Sequence, residues 1–140
     1  MRWFEKDLEI RYADTDRMDV VHHAVYPIYC ELSRIHLLDE VGLPYFQMET
    51  AGYYLMVSDI QCRFKAPVRF GDRVYILGRI STLRSRLVNF DYEIRGRDDD
   101  VLRFTGVSKH LVTARTNGVT SLPKEFMDIL RAGISPGLVS

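Results

Sequence analysis

The sequence contains only two cysteines, Cys30 and Cys62, among its 140 residues. Their wide spacing fits neither a metal-binding cysteine pair nor a disulfide framework, and this usage is typical of a reducing compartment. The chain also lacks an apolar run long enough to cross a membrane. Its first residues lack the apolar segment of a signal peptide. We therefore expect a cytoplasmic protein that does not insert into a membrane.

An excess of charge is absent as well, because 19 lysines and arginines balance 19 aspartates and glutamates. This balance gives no indication of a nucleic-acid partner, and none is expected. The charges are nevertheless unevenly distributed, since residues 60–97 carry nine basic and three acidic side chains. A glycine-rich phosphate loop and a metal-ligand cluster are both missing, so we expect no cofactor and no bound metal.

The length and the 46% content of hydrophobic residues suit a single domain with a substantial core. Alternation of apolar and polar residues over 4–12 predicts a half-buried strand. A long helix is predicted over 24–41, because Pro27 suits its first turn and Gly42 suits its end. Apolar residues cover most of its circumference, so we expect this helix to be buried on several sides.

Four further strands are predicted over 53–65, 73–83, 87–95 and 101–115. Short turns between them imply antiparallel neighbours. The sequence therefore predicts an α+β fold, with an antiparallel five-stranded sheet wrapped around a long central helix. We expect one domain over 1–132, including a short terminal helix over 123–131, and a loose tail over 133–140. The residues predicted to face inward from two of the strands are Ile60, Cys62 and Phe64, and Val88, Phe90, Tyr92 and Ile94.

Three carboxylates and two imidazoles lie within ten residues between the first strand and the helix. They belong to Asp14, Asp16, Asp19, His22 and His23. From the residues alone, such a cluster is either a solvated turn or a reactive site, and the base rate favours the turn for any single aspartate.

The segments 11–16 and 20–26, followed by Glu31 and Arg34, resemble the signature of the 4-hydroxybenzoyl-CoA thioesterase family. The branch of acyl-CoA thioesterases associated with the Tol–Pal cluster is the most similar one. The resemblance extends over nearly the whole chain and resumes strongly at 64–72. Members of this family have the hotdog fold, in which the order of elements is the one predicted above.

The resemblance implies an acyl-CoA thioesterase, which hydrolyses an acyl-CoA to a free acid and CoA. Its catalytic carboxylate matches Asp16, which would attack the thioester carbonyl as a nucleophile or activate water as a general base. The motif's histidine matches His23, three residues before Tyr26, and would position substrate or water. His22 is the alternative, and either histidine could instead be a hydrogen-bonded residue at the start of the helix.

Other side chains are predicted to bind the substrate. Tyr26 begins the helix, where free backbone N–H groups could bind the thioester oxygen, although its ring is expected in the core. The resemblance implies that Glu31 approaches the site of a partner subunit. An ion pair within the helix is the simpler expectation for Arg34, three residues later. The basic residues predicted to bind the CoA phosphates are Arg63, Arg69, Arg84 and Arg86.

Two positions depart from the family pattern, which usually has glycine where this chain has Asp19 and asparagine or serine where it has Val25. The resemblance further implies a homodimer or homotetramer with each site at a subunit interface. Two other functions are compatible with the fold: a thioesterase acting on an acyl carrier protein, and an acyl-CoA-binding module without catalytic activity. The presence of both Asp16 and His23 favours an enzyme over the module.

Overall fold

The structure is a computed structural model and describes residues 1–115 and 118–135. Five long or medium strands form one antiparallel sheet in the order β1-β3-β4-β5-β2, and the two-residue β6 pairs with β5. The strands are β1 (Phe4–Leu8), β2 (Tyr53–Phe64), β3 (Val74–Arg84), β4 (Leu87–Gly96), β5 (Leu102–Ala114) and β6 (Gly118–Val119). The helices are α1 (Tyr26–Glu40), α2 (Tyr45–Thr50) and α3 (Lys124–Ile134).

The predicted α+β architecture, a curled antiparallel sheet packed on one long helix, is confirmed. The alternation of β4 is also confirmed, because Val88, Phe90, Tyr92 and Ile94 are at most 1% exposed. The short helix α2 and the strand β6 were not predicted from the sequence. Among the described residues, no helix is both long and apolar enough to span a membrane.

Helix α1 packs on the sheet through one side only. Tyr29, Cys30 and Leu37 are almost fully buried against the strands. On the other side Ile28 and Ile35 are 47% and 39% exposed, together with Leu32 between them. The expectation of burial on several sides is therefore wrong for this single chain, because the sheet covers one side of the helix and leaves an apolar stripe on the other.

Strand β2 is an edge of the sheet, and within residues 1–115 and 118–135 it pairs with β5 alone. The prediction that Ile60, Cys62 and Phe64 face inward from this strand is wrong in part. Ile60 is 39% and Phe64 is 53% exposed, and of the three only Cys62 is partly buried. Met56 and Val57 add further exposed apolar surface, each being 48% exposed. The strand thus combines unpaired backbone groups with apolar side chains, a combination that favours pairing with another strand.

Helix α3 packs against the sheet through four buried apolar side chains. It continues through Ile134, which is only 4% exposed, so Gly133 and Ile134 belong to the packed helix and not to the expected tail. The remainder of that tail, residues 136–140, lies outside the described residues. The buried side chains of α3 are Phe126, Met127, Leu130 and Ile134.

The buried carboxylate of Asp14 connects the end of β1 to helix α1. Asp14 is 1% exposed, and its oxygens accept hydrogen bonds from the Arg11 backbone and guanidinium and from the Tyr29 hydroxyl at 2.8–3.1 Å. Its backbone carbonyl accepts the His22 N–H at 2.9 Å. Burial alone would raise the pKa of Asp14, but these hydrogen bonds outweigh it and leave the pKa below the ordinary value of 3.8.

Asp14→Asn should lower the free energy of unfolding by about 1–3 kcal/mol at neutral pH, because the amide cannot accept all of these hydrogen bonds and leaves buried donors unsatisfied. Urea denaturation followed by circular dichroism measures this. Since the folded-state pKa is depressed, the contribution of Asp14 is complete above about pH 4 and is lost as pH falls through the folded-state value. The difference in the free energy of unfolding between the wild type and Asp14→Asn should therefore disappear at acidic pH.

Asp19→Asn is the matched control for this experiment, because Asp19 is exposed and its side chain takes part in no hydrogen bond within the described residues. Its stability should stay within about 0.5 kcal/mol of the wild type. Equal stability of the wild type and Asp14→Asn at neutral pH would contradict the anchoring role of Asp14.

Candidate active site

A cleft of about 380 Å³ lies where the segment after β1 meets the start of α1 and the end of β2. We call it the Asp16 cleft. It brings together three of the predicted site residues, Asp16, His23 and Tyr26. The full lining is Asp16, Val20, Val21, His23, Tyr26, Phe64, Lys65, Ala66 and Pro67.

Asp16 lies in a tight loop that fixes one of its two carboxylate oxygens. Its Oδ1 accepts hydrogen bonds from the backbone N–H of Met18 at 2.8 Å and of Val20 at 3.4 Å. Its own N–H donates to the Val20 carbonyl at 2.8 Å, which closes the loop. Within the described residues, Oδ2 has no hydrogen-bond partner. One oxygen is therefore held in place while the other is available to a substrate or a water molecule.

Asp19 occupies the turn of this loop with a φ of 64°. This left-handed conformation favours glycine, and aspartate is among the few other residues that tolerate it. The geometry explains why glycine is the usual residue at this position in the family that the sequence resembles. Asp19 is exposed and does not line the cleft.

The two adjacent histidines have different surroundings. His22 Nδ1 accepts the Ala24 N–H at 3.0 Å and so caps the 3₁₀ turn His23–Val25, which leads directly into α1. His23 lines the cleft, and its ring stacks on that of His22 with centroids 4.2 Å apart. The imidazole of His23 forms no hydrogen bond within the described part of the chain. Its nitrogens are thus available near Asp16, whereas His22 has a structural role.

Tyr26 lies at the first turn of α1. Its ring is 4% exposed and stacks on Phe104 at 4.9 Å, and burial raises the pKa of its hydroxyl. The ring is therefore part of the core. Tyr26 also places the start of α1 at the cleft, directly after the 3₁₀ turn His23–Val25, and Pro27 at the next position has no N–H. The positive end of the helix dipole there favours a developing oxyanion.

Glu31 and Arg34 lie outside the Asp16 cleft and line a second pocket, of about 260 Å³. We call it the Arg34 pocket. The expected ion pair between these two side chains is absent from the described residues. Arg34 instead donates to the Tyr92 hydroxyl at 3.2 Å. This pocket was missed in the sequence because its polar contacts join residues that are far apart in the chain.

The four arginines predicted to bind CoA phosphates do not form one surface within this chain. Arg63 and Arg69 lie toward the Asp16 cleft, and the Arg69 guanidinium donates to the Met18 carbonyl at 3.4 Å. Arg84 and Arg86 lie at the β3–β4 turn, at the opposite end of those strands. The ten residues of β4, from Leu87 to Gly96, make nine steps and correspond to about 30 Å between the two ends.

Two further basic residues, Lys65 and Arg103, lie near the cleft. Lys65 lines the cleft directly and provides a cation close to Asp16. The side chain of Arg103 is 13% exposed, pairs with Asp72 and Asp99, and donates to the Pro67 carbonyl. Arg103 therefore holds the loop that forms one wall of the cleft. No sequence signal distinguishes it from the other outward-facing residues of β5.

A metal site is not found in the part of the chain that the structure describes, since no group of three or more His, Cys, Asp or Glu side chains is arranged to hold one ion. The groups that line the Asp16 cleft include a carboxylate, an imidazole, an amine and the start of α1. This set can deliver a nucleophile or activate water and can bind an oxyanion.

The structure of protein TT1821 from Thermus thermophilus is similar to this chain, with a TM-score of 0.86, 34% sequence identity, and coverage of 91% of this chain and 96% of the other. The DHNA-CoA thioesterase from Staphylococcus aureus has a TM-score of 0.85 and 25% identity, over 91% of this chain and 86% of its own. These likenesses agree with the hotdog fold expected from the sequence.

Two curated relatives match shorter segments. YneP of Bacillus subtilis, whose name assigns it provisionally to the acyl-CoA thioesterases, is 36% identical over 72 residues, 51% of this chain and 52% of its own. Acyl-acyl carrier protein thioesterase ATL3 of Arabidopsis thaliana is 31% identical over 90 residues, 64% of this chain and 47% of its own. This chain thus spans about half the length of these relatives.

The family comparison covers almost the entire described chain. The model of the thioesterase-like superfamily matches residues 10–130. This range includes the Asp16 cleft, the Arg34 pocket, α1 and the sheet from β2 onward. The chain therefore belongs to the thioesterase-like superfamily and has its hotdog fold.

Proposed function

We propose that this protein is an acyl-CoA thioesterase in which Asp16 performs the chemistry. The observation that carries the proposal is the arrangement in the Asp16 cleft, where a carboxylate oxygen without a partner lies with His23 beside the N-terminus of α1. Membership of the thioesterase-like superfamily supports the reaction type. The neighbouring Asp14 is unsuited to the role, because both of its oxygens are bound by donors.

Asp16 can cleave a thioester by two balanced routes. As a general base, Oδ2 takes a proton from water, and the resulting hydroxide attacks the carbonyl carbon. As a nucleophile, Oδ2 attacks that carbon itself and forms a mixed anhydride, which water then hydrolyses. In both routes the positive end of α1 stabilises the oxyanion, the carbon–sulfur bond breaks, and the CoA thiolate leaves and takes up a proton. His23 positions the attacking water or the substrate.

The similar proteins are named for two different carriers of the acyl group. YneP and the Staphylococcus aureus enzyme are named for CoA thioesters, whereas ATL3 is named for acyl carrier protein. We favour CoA because Lys65 and Arg69 place basic groups close to the cleft, where phosphates would lie. A closer relationship to the Tol–Pal-associated branch rests on the motif around Asp16. A cytoplasmic location remains a prediction from the cysteine usage.

A homodimer formed through β2 is the second part of the proposal. This strand has a free edge with four exposed apolar side chains, and the apolar stripe of α1 lies on the uncovered side of the helix. An antiparallel pairing of two β2 strands centred on Ile60 would set Phe64 of one subunit opposite Met56 of the other. The Asp16 cleft of one subunit would then lie beside the Glu31 side chain of its partner, as the family resemblance implies.

Asp16→Asn should reduce kcat on the best acyl-CoA by at least about 10²-fold, the usual effect of losing an acid–base group. Asparagine retains the oxygen that accepts the Met18 and Val20 N–H groups, so the loop and the melting temperature should be preserved. Thiol release over a panel of acyl-CoAs measures the effect. Asp19→Asn is the matched control and should keep near wild-type turnover. Near wild-type turnover of Asp16→Asn would exclude the proposed mechanism.

Arg69→Ala should raise KM for acyl-CoA by about tenfold with little change in kcat, because a phosphate contact binds substrate and transition state alike. The same variant should be unaffected on the N-acetylcysteamine thioester of the same acid, which has no phosphates. Arg131→Ala, an exposed arginine on α3, controls for the loss of one charge. Equal losses on both substrates would exclude Arg69 from nucleotide binding.

Ile60→Lys should convert the proposed dimer into monomers, since it places a charge at the centre of the pairing strand. Light scattering at micromolar concentration measures the mass, and turnover should fall with it if each site is shared. Val101→Lys, at a residue that is 45% exposed and lies seven positions before Ser108, the sheet partner of Ile60, is the control and should stay dimeric. A monomeric wild-type protein would contradict this part of the proposal.

A further inference from the structure

The Arg34 pocket shares no lining residue with the Asp16 cleft. Its walls are mostly apolar, and its volume of about 260 Å³ suits the end of an acyl group better than a complete thioester. It lies between the middle of α1, the helix α2 and the edge strand β2. The lining residues are Glu31, Arg34, Ile35, Leu38, Tyr45, Leu55 and Val57.

Arg34 is half-buried in this apolar pocket and lacks a carboxylate partner among the described residues. Its guanidinium donates one hydrogen bond, to the Tyr92 hydroxyl at 3.2 Å. An arginine has five N–H donors, so most of them are not used by the protein. A partly desolvated cation with free donors is costly unless an acceptor satisfies it.

The groups behind Arg34 hold its position without balancing its charge. The Tyr92 hydroxyl forms a hydrogen bond with Ser108 Oγ at 2.7 Å, and His110 Nε2 lies 2.8 Å from Ser108 Oγ. Burial, and then the charge of Arg34, lower the pKa of His110 to about 4. Burial raises the pKa of the Cys30 thiol to about 12. This buried network is thus uncharged at neutral pH, and only Glu31, at the exposed rim, carries a negative charge.

We propose that Arg34 is a specificity-determining residue, which binds an oxygen acceptor at the far end of the acyl group while apolar walls hold the chain between. The preferred substrates are acyl thioesters that end in a hydroxyl or a carboxylate, and not plain alkyl chains. This inference rests on the proposed thioesterase function. A site built to bond a polar group discriminates strongly against the analogue that lacks it, because its own buried donors are then left unsatisfied.

The distance along α1 between the Asp16 cleft and the Arg34 pocket agrees with such a substrate. Tyr26 and Arg34 are eight residues apart on α1, or about 12 Å at 1.5 Å per residue, which a chain of about eight carbons bridges. In the dimer proposed above, the pocket of one subunit would face the cleft of the other and the required chain would be shorter. The pocket mouth, formed by Leu55 and Val57 on β2, would then be closed by the partner.

The test is a substrate series that varies only the terminal group. Octanoyl-CoA, 8-hydroxyoctanoyl-CoA and suberoyl-CoA are compared, with the same series at six carbons, on the wild type and on Arg34→Met. Methionine keeps an unbranched apolar stem but has no donor. In the wild type, kcat/KM should be at least about tenfold higher for an oxygenated chain than for its alkyl counterpart. Arg34→Met should lose that preference, with the loss of kcat/KM at least about tenfold greater on the oxygenated chains than on the alkyl chains.

Comparison of the substrates ending in a hydroxyl with those ending in a carboxylate identifies which acceptor Arg34 binds. Arg131→Met controls for the loss of an exposed positive charge. An equal loss on all chains in Arg34→Met, or no preference in the wild type at either length, would overturn the inference. Binding of non-hydrolysable S-alkyl-CoA thioethers with the same terminal groups is measured in parallel by calorimetry. If no thioester is hydrolysed but thioether affinity still depends on Arg34 and the terminal oxygen, the proposed reaction fails and this inference stands.

Discussion

Asp14 is the residue on which the geometry of the cleft depends. Its carboxylate joins Arg11, three residues after β1, to Tyr29, the fourth residue of α1. Its carbonyl holds the backbone of His22. Both ends of the segment that carries Asp16 and His23 are therefore fixed through one buried group. The same bonds exclude Asp14 from chemistry, because a carboxylate with all its acceptors engaged is a weak base and a hindered nucleophile.

Much of the architecture could be predicted because local patterns and tertiary environment agree. The strict alternation of β4 predicted its inward face, and Pro27 and Gly42 marked the limits of α1 closely. Patterns fail where burial depends on sheet order. The apolar residues of β2 suggest a core strand, yet its position at the edge leaves Ile60 and Phe64 in contact with solvent. Nothing in the periodicity of a strand specifies its place in the sheet.

For the candidate site, too, prediction succeeded where residues are close in sequence and failed where they meet only in space. Asp16 and His23 could be assigned to one place because they lie on one short segment, and the structure puts both in one cleft. The arginines were grouped by sequence proximity, but antiparallel strands carry Arg69 and Arg86 to opposite ends. Arg34 was interpreted through its helical neighbour Glu31, whereas its actual partner, Tyr92, lies 58 positions away. The role of the buried polar residues Ser108 and His110 of β5 likewise depends on residues that are distant in the sequence.

The pairing of β2 with β5 has a consequence for how the chain reaches this fold. Tyr53 bonds opposite Ala114 and Phe64 opposite Phe104, so β2 is synthesised about 40 to 60 residues before its only partner strand. During that interval β3 and β4 can already form a local hairpin, while the strand that pairs with β2 has not yet been synthesised. Nascent chains in this state are prone to associate with one another. Pairing with β5 is thus the step that protects β2 from association with other chains. Slow translation beyond Gly96 would prolong the time during which β2 is unpaired.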